Sequence, residues 1–253
     1  MRGTDREARL AAALVAAADT LTASFEATEH LRRVADHCVE LLGARAAGFM
    51  LIERGGTVSL AGSTRPPGLA LDLLRAQTGG GPGPDAYGSG RPVPPVPLGL
   101  AHARGRWPLF TERALRHGVA ATFAVPLRRR ARLLGALNVF ASAPPGGAAG
   151  GGGELRLAQA LADAAAVGLE NHRAYTRCRT LAGQLQEALS SRVRVEQAKG
   201  MLAERWGTPA DHAFVALRRY ARRHRLALDL VAQAVIDRAL DDAELRYEPG
   251  DTA

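Results

Sequence analysis

ELRLAQALADAAAVGLENHRAYTRCRTLAGQLQEALSSRVRVEQAKGMLAERW, Glu154 to Trp206, contains no proline and only three glycines, Gly168, Gly183 and Gly200. Proline and glycine are the residues that punctuate helices, so this stretch predicts one very long helix or two stacked ones. Leu157, Leu161, Ala164 and Gly168 share one side, as do Leu181, Leu185 and Ala188. Steps of three and four are the spacing of a coiled-coil seam. A helix packed on its own domain shows the same spacing, but roughly 50 residues far exceed the ~10–14 of an average globular helix. The stretch is therefore expected to connect a folded block before it to another after it.

Before it, Arg6–Asp19 predicts a helix, and a second places Leu31, Val34, Cys38, Leu41 and Leu42 at helical spacing until Gly43. Ala46–Glu53 and Thr57–Gly62 read as strands joined by a turn at Gly55 and Gly56. Leu69–Gln77 predicts a short helix. From Thr78 to Pro108, glycine and proline are so dense that the zone is expected to be mostly irregular. Leu109–Gly118 returns to helix. Val119–Leu127 and Leu133–Phe140 are apolar runs joined by the basic RRRAR of Arg128–Arg132, a hairpin pattern with a solvated turn. Ala143–Gly153 reads as a flexible loop. Helices, an antiparallel sheet and a long exit helix make an α+β pattern.

After it, GTPADHAF starts a helix, with Thr208 as cap, Pro209 at the first helical position and Asp211 near the positive dipole end. Ala213, Phe214, Leu217, Tyr220 and Ala221 form its apolar arc, and Arg218, Arg219, Arg222, Arg223 and Arg225 the other side. No acidic partner stands at i+4 within this helix, so the pattern asks for an anion. Leu226–Leu240 predicts a last helix with an apolar stripe ending at Ala239. The small core expected here is Val195, Ala198, Leu202, Phe214, Leu217, Val231 and Val235, with Trp206 also read as core and the final EPGDTA as a loose tail.

Composition narrows the function. The net charge is +8, and Glu187–Leu240 holds ten basic against six acidic residues, so the excess is concentrated near the C-terminal end. A polyanionic partner is expected. Cys38 and Cys178 make no CxxC pair or metal spacing, His102 and His117 are lone histidines, and no metal or cofactor is expected. No GxSxG, P-loop or HExxH is present, so no catalytic residues are assigned and the chain is read as a non-enzyme. No window carries 18 uninterrupted apolar residues and no signal-peptide core follows the start, which predicts a cytoplasmic protein without a membrane span.

Leu185–Ile236 resembles the ANTAR domain, the three-helix RNA-binding module of transcription antitermination regulators. The carriers are Ala198, Ala213 and Ala221, AKG at Ala198–Gly200, AFVALRRYA and VAQAVI. Leu10–Glu170 resembles a GAF domain of the actinobacterial type often fused to ANTAR, through GPGPDAY, RWPLF and AVPLRRRARLLGALNVFAS. The chain departs from the pattern at Gly83, where relatives commonly have a cysteine, and it lacks the NKFDE-type motif of cyclic-nucleotide GAF domains. The resemblance implies a GAF sensor over 1–170, a coiled-coil connecting helix over 171–188, an ANTAR domain over 189–245 and a tail over 246–253. It implies a homodimer that binds paired stem-loops in nascent mRNA and blocks a terminator, with an unidentified small molecule in the GAF domain.

The RNA-contact candidates are Arg192, Arg194, Lys199, Arg218, Arg219, Arg222, Arg223, His224 and Arg225. Arginine suits phosphate because its planar fork donates two hydrogen bonds at once. Tyr220 could stack on an unpaired base or pack in the core. Gly200 would let RNA or another helix approach. Tyr87, Trp107, Phe110 and Phe123 are candidates for ligand contact in the GAF domain, with packing as the competing reading. Two other classes stay open: a DNA-binding transcriptional regulator, and a protein-interaction module that binds no nucleic acid.

Overall fold

The computed structural model of the chain describes residues 2–21, 25–52, 56–144 and 152–246. The chain forms two compact units, Met1–Tyr175 and Thr176–Ala253.

The first unit opens with α1 (Arg2–Ala18) and α2 (Ala27–Leu42). Leu31, Val34, Cys38 and Leu41 of α2 are buried, and Gly43 ends it at φ 61°, its N–H bonded to the Val39 carbonyl. That left-handed conformation is open to glycine without a side-chain clash. Then come β1 (Ala46–Ile52), β2 (Val58–Gly62), α3 (Leu69–Arg75) and a 3₁₀ turn at Ala76–Gly79. After α4 (Pro82–Ser89), β3 (Val93–Pro97), α5 (Ala101–Arg106) and α6 (Pro108–Arg116), the chain forms β4 (Ala121–Arg129) and β5 (Arg132–Ala141). The sheet order is β2-β1-β5-β4-β3, and every neighbouring pair is antiparallel.

The zone expected to be irregular holds α4, β3 and α5. Its prolines sit where regular structure accepts them. Pro82 begins α4, where no intrahelical N–H bond is lost. Pro94, Pro95 and Pro97 lie in β3, at the sheet edge, where one row of N–H groups has no ladder partner to lose. The hairpin also differs in detail. Its strands run into the basic stretch, Arg129 pairs with Arg132, and the turn shrinks to Arg130 and Ala131, with Arg130 at φ 54°. Residues 53–55 and 145–151, which include Gly55 of the first turn and most of the glycine loop, lie outside the described residues, as does the EPGDTA tail.

Both faces of the sheet are covered. One packs Phe123, Val125 and Leu127 of β4 with Leu31 and Val34 of α2 and with Leu161, Ala165 and Leu169 of the long helix. The other packs Ala124 and Phe140 under Leu73, Leu74, Trp107 and Phe110. Gly135 of β5 faces the Met50 carbonyl so closely that a Cβ there would overlap it. The β1–β5 pairing therefore requires glycine at this point.

α7 (Gly152–Trp206) is a single helix of 55 residues. Up to Tyr175 it belongs to the first unit. There the seam residues Leu157, Leu161 and Ala164 pack into that unit's own core, so they do not form part of a coiled coil.

The second unit holds the rest of α7, then α8 (Ala210–His224), α9 (Leu228–Ile236) and α10 (Asp242–Arg246). Its core is Ala198, Leu202, Ala213, Leu217, Tyr220, Ala221, Val231, Ala232, Val235 and Leu245, with Val195 and Trp206 packed against it. Three expectations are corrected. Thr208 does not cap α8: Pro209 is the N-cap residue, and the Thr208 hydroxyl has no hydrogen-bond partner among the described residues. Phe214 is half-buried outside the core, because it turns toward the Arg218 guanidinium, 5.8 Å from its ring. α9 stops at Ile236, and Ala239 is exposed beyond a turn that takes Arg238 to φ 58°. α10 itself was not anticipated. Only its Leu245 reaches the core, too sparse a pattern to signal a helix.

Candidate nucleic-acid interface

α8 carries its arginines in two rows. Successive helical residues rotate by about 100°, so Arg218, Arg222 and Arg225 follow one edge, and Arg219 and Arg223 the next. Arg218, Arg222 and Arg225 are exposed, and among the described residues they make no ion pair. Arg225 caps α8 in the left-handed region at φ 55°, its N–H bonded to the Ala221 and Arg222 carbonyls.

The second row is engaged within the unit. The Arg219 Nη2 donates to the carbonyls of Leu245, at 3.3 Å, and Arg246, at 3.2 Å. The Arg223 Nη2 donates to the Glu244 carbonyl at 3.0 Å. The last carbonyls of a helix have no intrahelical partner and carry its negative dipole end, so α10 presents acceptors where these guanidinium groups need them. Tyr220 is 7% exposed. Its hydroxyl donates to Glu244 Oε2 at 3.3 Å, and its ring is stacked on His224 with centroids 4.2 Å apart. With its ring covered by His224 and its body in the core, Tyr220 packs and does not offer its face to an unpaired base. Burial, together with the Glu244 carboxylate, raises its phenol pKa above the ordinary value. His224 is exposed, and its Nε2 accepts from Arg223 Nε at 3.2 Å.

On α7, Arg192 is exposed without an ion pair among the described residues. Arg194 is bridged to Asp229 of α9 at 3.1 Å, which ties the two helices together. Lys199 pairs with Glu196 at 2.5 Å and is 21% exposed. A Cβ at Gly200 would meet nothing within 4 Å, so nothing in the unit approaches it closely. The seam beyond Thr176 is open: Leu181, Leu185, Leu189 and Val193 are all exposed.

The first unit holds a cavity of about 420 Å³ between the sheet and α3–α4, lined in part by Met50, Leu60, Leu74, Gln77, Tyr87 and Ala136. Of the four predicted contacts, only Tyr87 lines it. Trp107 and Phe110 are packed under the sheet, with Trp107 Nε1 donating to Asp85 Oδ2 at 3.1 Å. Phe123 belongs to the opposite face, because alternate residues of a strand point to opposite sides. The sequence reading missed Gln77 and Asn138. Gln77 Oε1 accepts from the Gly83 N–H at 2.9 Å, while its Nε2 has no partner among the described residues. Asn138 is fully buried, among the described residues neither of its amide atoms is hydrogen-bonded, and a Cβ on Gly83 would lie 2.7 Å from both. A lone amide within the apolar run LLGALNVF was the available signal for Asn138.

Elsewhere, Arg113 clasps Asp72 through two bonds, at 2.8 and 2.6 Å, with His117 Nε2 at 2.8 Å. The Arg113 bonds, aided by His117, hold the Asp72 carboxyl below the usual range. Cys38 is buried, which pushes its thiol pKa up and leaves it unreactive. Among the described residues, no group of three or more His, Cys, Asp or Glu could hold a metal, and no helix is long and apolar enough to cross a membrane.

The GAF domain model matches residues 26–170 and the ANTAR domain model residues 183–236. No curated protein matches the chain. Similar solved structures include a domain assigned to a two-component sensor histidine kinase protein from Sinorhizobium meliloti 1021, at 21% identity and TM-score 0.46, covering 62% of this chain and 99% of that one. The GAF domain of nlh2 from A. aeolicus, in an inactive state, is 13% identical with TM-score 0.46 and covers 69% and 99%. Free methionine-R-sulfoxide reductase from Neisseria meningitidis, in complex with its substrate, is 16% identical with TM-score 0.45 and covers 68% and 94%.

Proposed function

We propose a role for a chain that belongs to the GAF domain family and carries an ANTAR domain after it: it is a cytoplasmic antitermination regulator whose C-terminal unit binds paired stem-loops in nascent mRNA. The GAF domain makes it a regulator with a sensory input; RNA as the target of the output is our inference. The observation that carries it is the exposed row of Arg218, Arg222 and Arg225, on the segment matched to ANTAR, without carboxylate partners among the described residues. Like charges on one helix face repel, and RNA phosphates would relieve them. Duplex RNA hides its base edges in a deep, narrow groove, so these arginines supply the phosphate contacts, and unpaired loop bases supply specificity. Arg192, Arg194, Lys199 and His224 flank the same role.

The open seam of Leu181, Leu185 and Leu189 is covered by a second copy, giving a homodimer whose two ANTAR modules meet two hairpins. Linking two modules raises affinity if the hairpin spacing fits. The cavity at Gln77 and Tyr87 receives the input molecule. Neither domain is assigned catalysis.

Gel-shift titration of a two-hairpin RNA tests the reading. Affinity should fall steeply with salt, as expected when phosphate contacts release counterions. Arg218→Glu with Arg222→Glu should abolish binding with helicity intact. Unchanged affinity, or equal binding to duplex DNA, overturns it.

A further inference from the structure

α10 lies beyond the segment that the ANTAR model matches, 183–236, yet it holds two of the RNA-contact candidates of α8 and the packing residue between them in the chain. Arg219 and Arg223 donate to its terminal carbonyls, and Tyr220 donates to its Glu244 carboxylate. Arg205 anchors its start, with Nη1 2.6 Å from Asp242 Oδ1, and the Arg246 guanidinium lies 4.7 Å from the Trp206 ring centroid.

We propose that α10 is a displaceable cover on the RNA-facing side of α8, whose carbonyl and carboxylate oxygens occupy the donors that RNA phosphates take when bound. The proposal rests on the RNA reading above.

The chemistry of the two acceptors is alike. A guanidinium donates to a carbonyl, a carboxylate or a phosphate oxygen in the same planar geometry, and the phosphate bond is the stronger because its acceptor is charged. The segment is itself acidic, with Asp241, Asp242 and Glu244 close together. Five residues cannot sustain a helix alone, so α10 persists only through its docking. One side chain, Leu245 at 1% exposure, enters the core. Elements with so few buried contacts open at the low end of the local stability range. While α10 is docked, Arg219 and Arg223 donate to its carbonyls, Arg223 from an exposed position, and Arg218, Arg222 and Arg225 face outward without an ion pair among the described residues. The apparent RNA affinity is thereby reduced by the fraction of molecules in which Arg219 and Arg223 are released.

The test uses a two-hairpin RNA and two readouts. The first is a nitroxide on Ala243→Cys in a Cys178→Ser chain, at an exposed position of α10. Adding RNA should raise the mobile fraction of its spectrum. A label that stays as immobile, or becomes more so, overturns the proposal. The second is truncation after Leu240, which should tighten binding roughly tenfold, as expected when a mostly closed state is removed. Changing Arg219→Ala with Arg223→Ala should then cost more affinity in the truncated chain than in the full one, a difference that the lost acidic charge alone does not produce. Weaker binding by a truncated chain of intact helicity overturns the proposal, and if that chain loses helicity the nitroxide result decides. No RNA binding by either chain at low salt overturns the RNA reading and this one with it. Binding with an undisturbed label overturns this one only.

Discussion

One helix, α7, meets two opposite fates along its length. In its first part Ala158, Leu161, Ala162, Ala165 and Ala166 are fully buried against the sheet and the N-terminal helices. Beyond Tyr175 every residue from Thr176 to Leu189 is exposed, with Leu185 at 63%. Both parts carry apolar residues in steps of three and four. The spacing states that a face is to be covered; it does not state by what. The first part is covered by its own unit, and the second awaits the partner copy proposed above.

The sharpest break of this comparison is a matched pair of truncations. Leu161→Ala should cost about 3 kcal/mol of first-unit stability, since it empties a closed core site. Leu185→Ala should leave thermal stability of the monomer within about 0.5 kcal/mol, as at other exposed positions, but shift sedimentation from dimer toward monomer. Equal effects on melting would erase the distinction.

Two glycines of the same helix, Gly168 and Gly183, sharpen it further. A Cβ on Gly168 would overlap the Ala17 carbonyl and approach Thr20 and His30. Gly168→Ala should therefore lower stability by about 2 kcal/mol, in the range of overpacked sites, read from a denaturant melt.

His30, beside Gly168, gives the buried part a pH signature. Burial, with the nearby Arg33 charge, lowers its pKa from 6.5 to about 4, and its Nε2 has no hydrogen-bond partner among the described residues. As pH falls, the unfolded chain takes up the proton first, so stability is full above pH 6.5, drops between 6.5 and 4, and levels off below. The loss should reach about 2 kcal/mol by pH 5 and should vanish from the melting profile in His30→Gln.

The smallest effect has the opposite sign. A Cβ at Gly183 meets nothing within 4 Å. Gly183→Ala should stabilise the exposed part by about 0.5–1 kcal/mol through helix propensity alone, seen as slower amide exchange over residues 176–189. If the two glycine substitutions moved stability alike, packing would not be what separates the halves.

Much of the architecture was legible in the residues themselves. The absence of proline from Glu154 to Trp206, Gly43 after the apolar stripe of α2, and the paired apolar runs around RRRAR each encode local structure through backbone geometry. The site was legible only as composition. Four arginines on α8 and Arg225 at its C-cap announce a charged face, but which of them are engaged depends on α10, whose signal is one leucine among polar residues. In the first unit, reading Phe123 as a pocket residue failed because its hydrophobicity carries no label for the side of the sheet it faces.

The sequence by itself determined that one helix runs through Glu154–Trp206, that the apolar runs around RRRAR pair as a hairpin, and that the positive charge gathers near the C-terminal end, because these follow from neighbours along the chain. Tertiary structure alone decided that α7 has a covered and an open part, that prolines could serve an edge strand, that Tyr220 packs instead of stacking on a base, and that Arg219 and Arg223 are held by α10. Each of these is fixed by contacts between residues far apart in sequence. Burial and hydrogen bonding are properties of such contacts, and no local pattern of residue types specifies them.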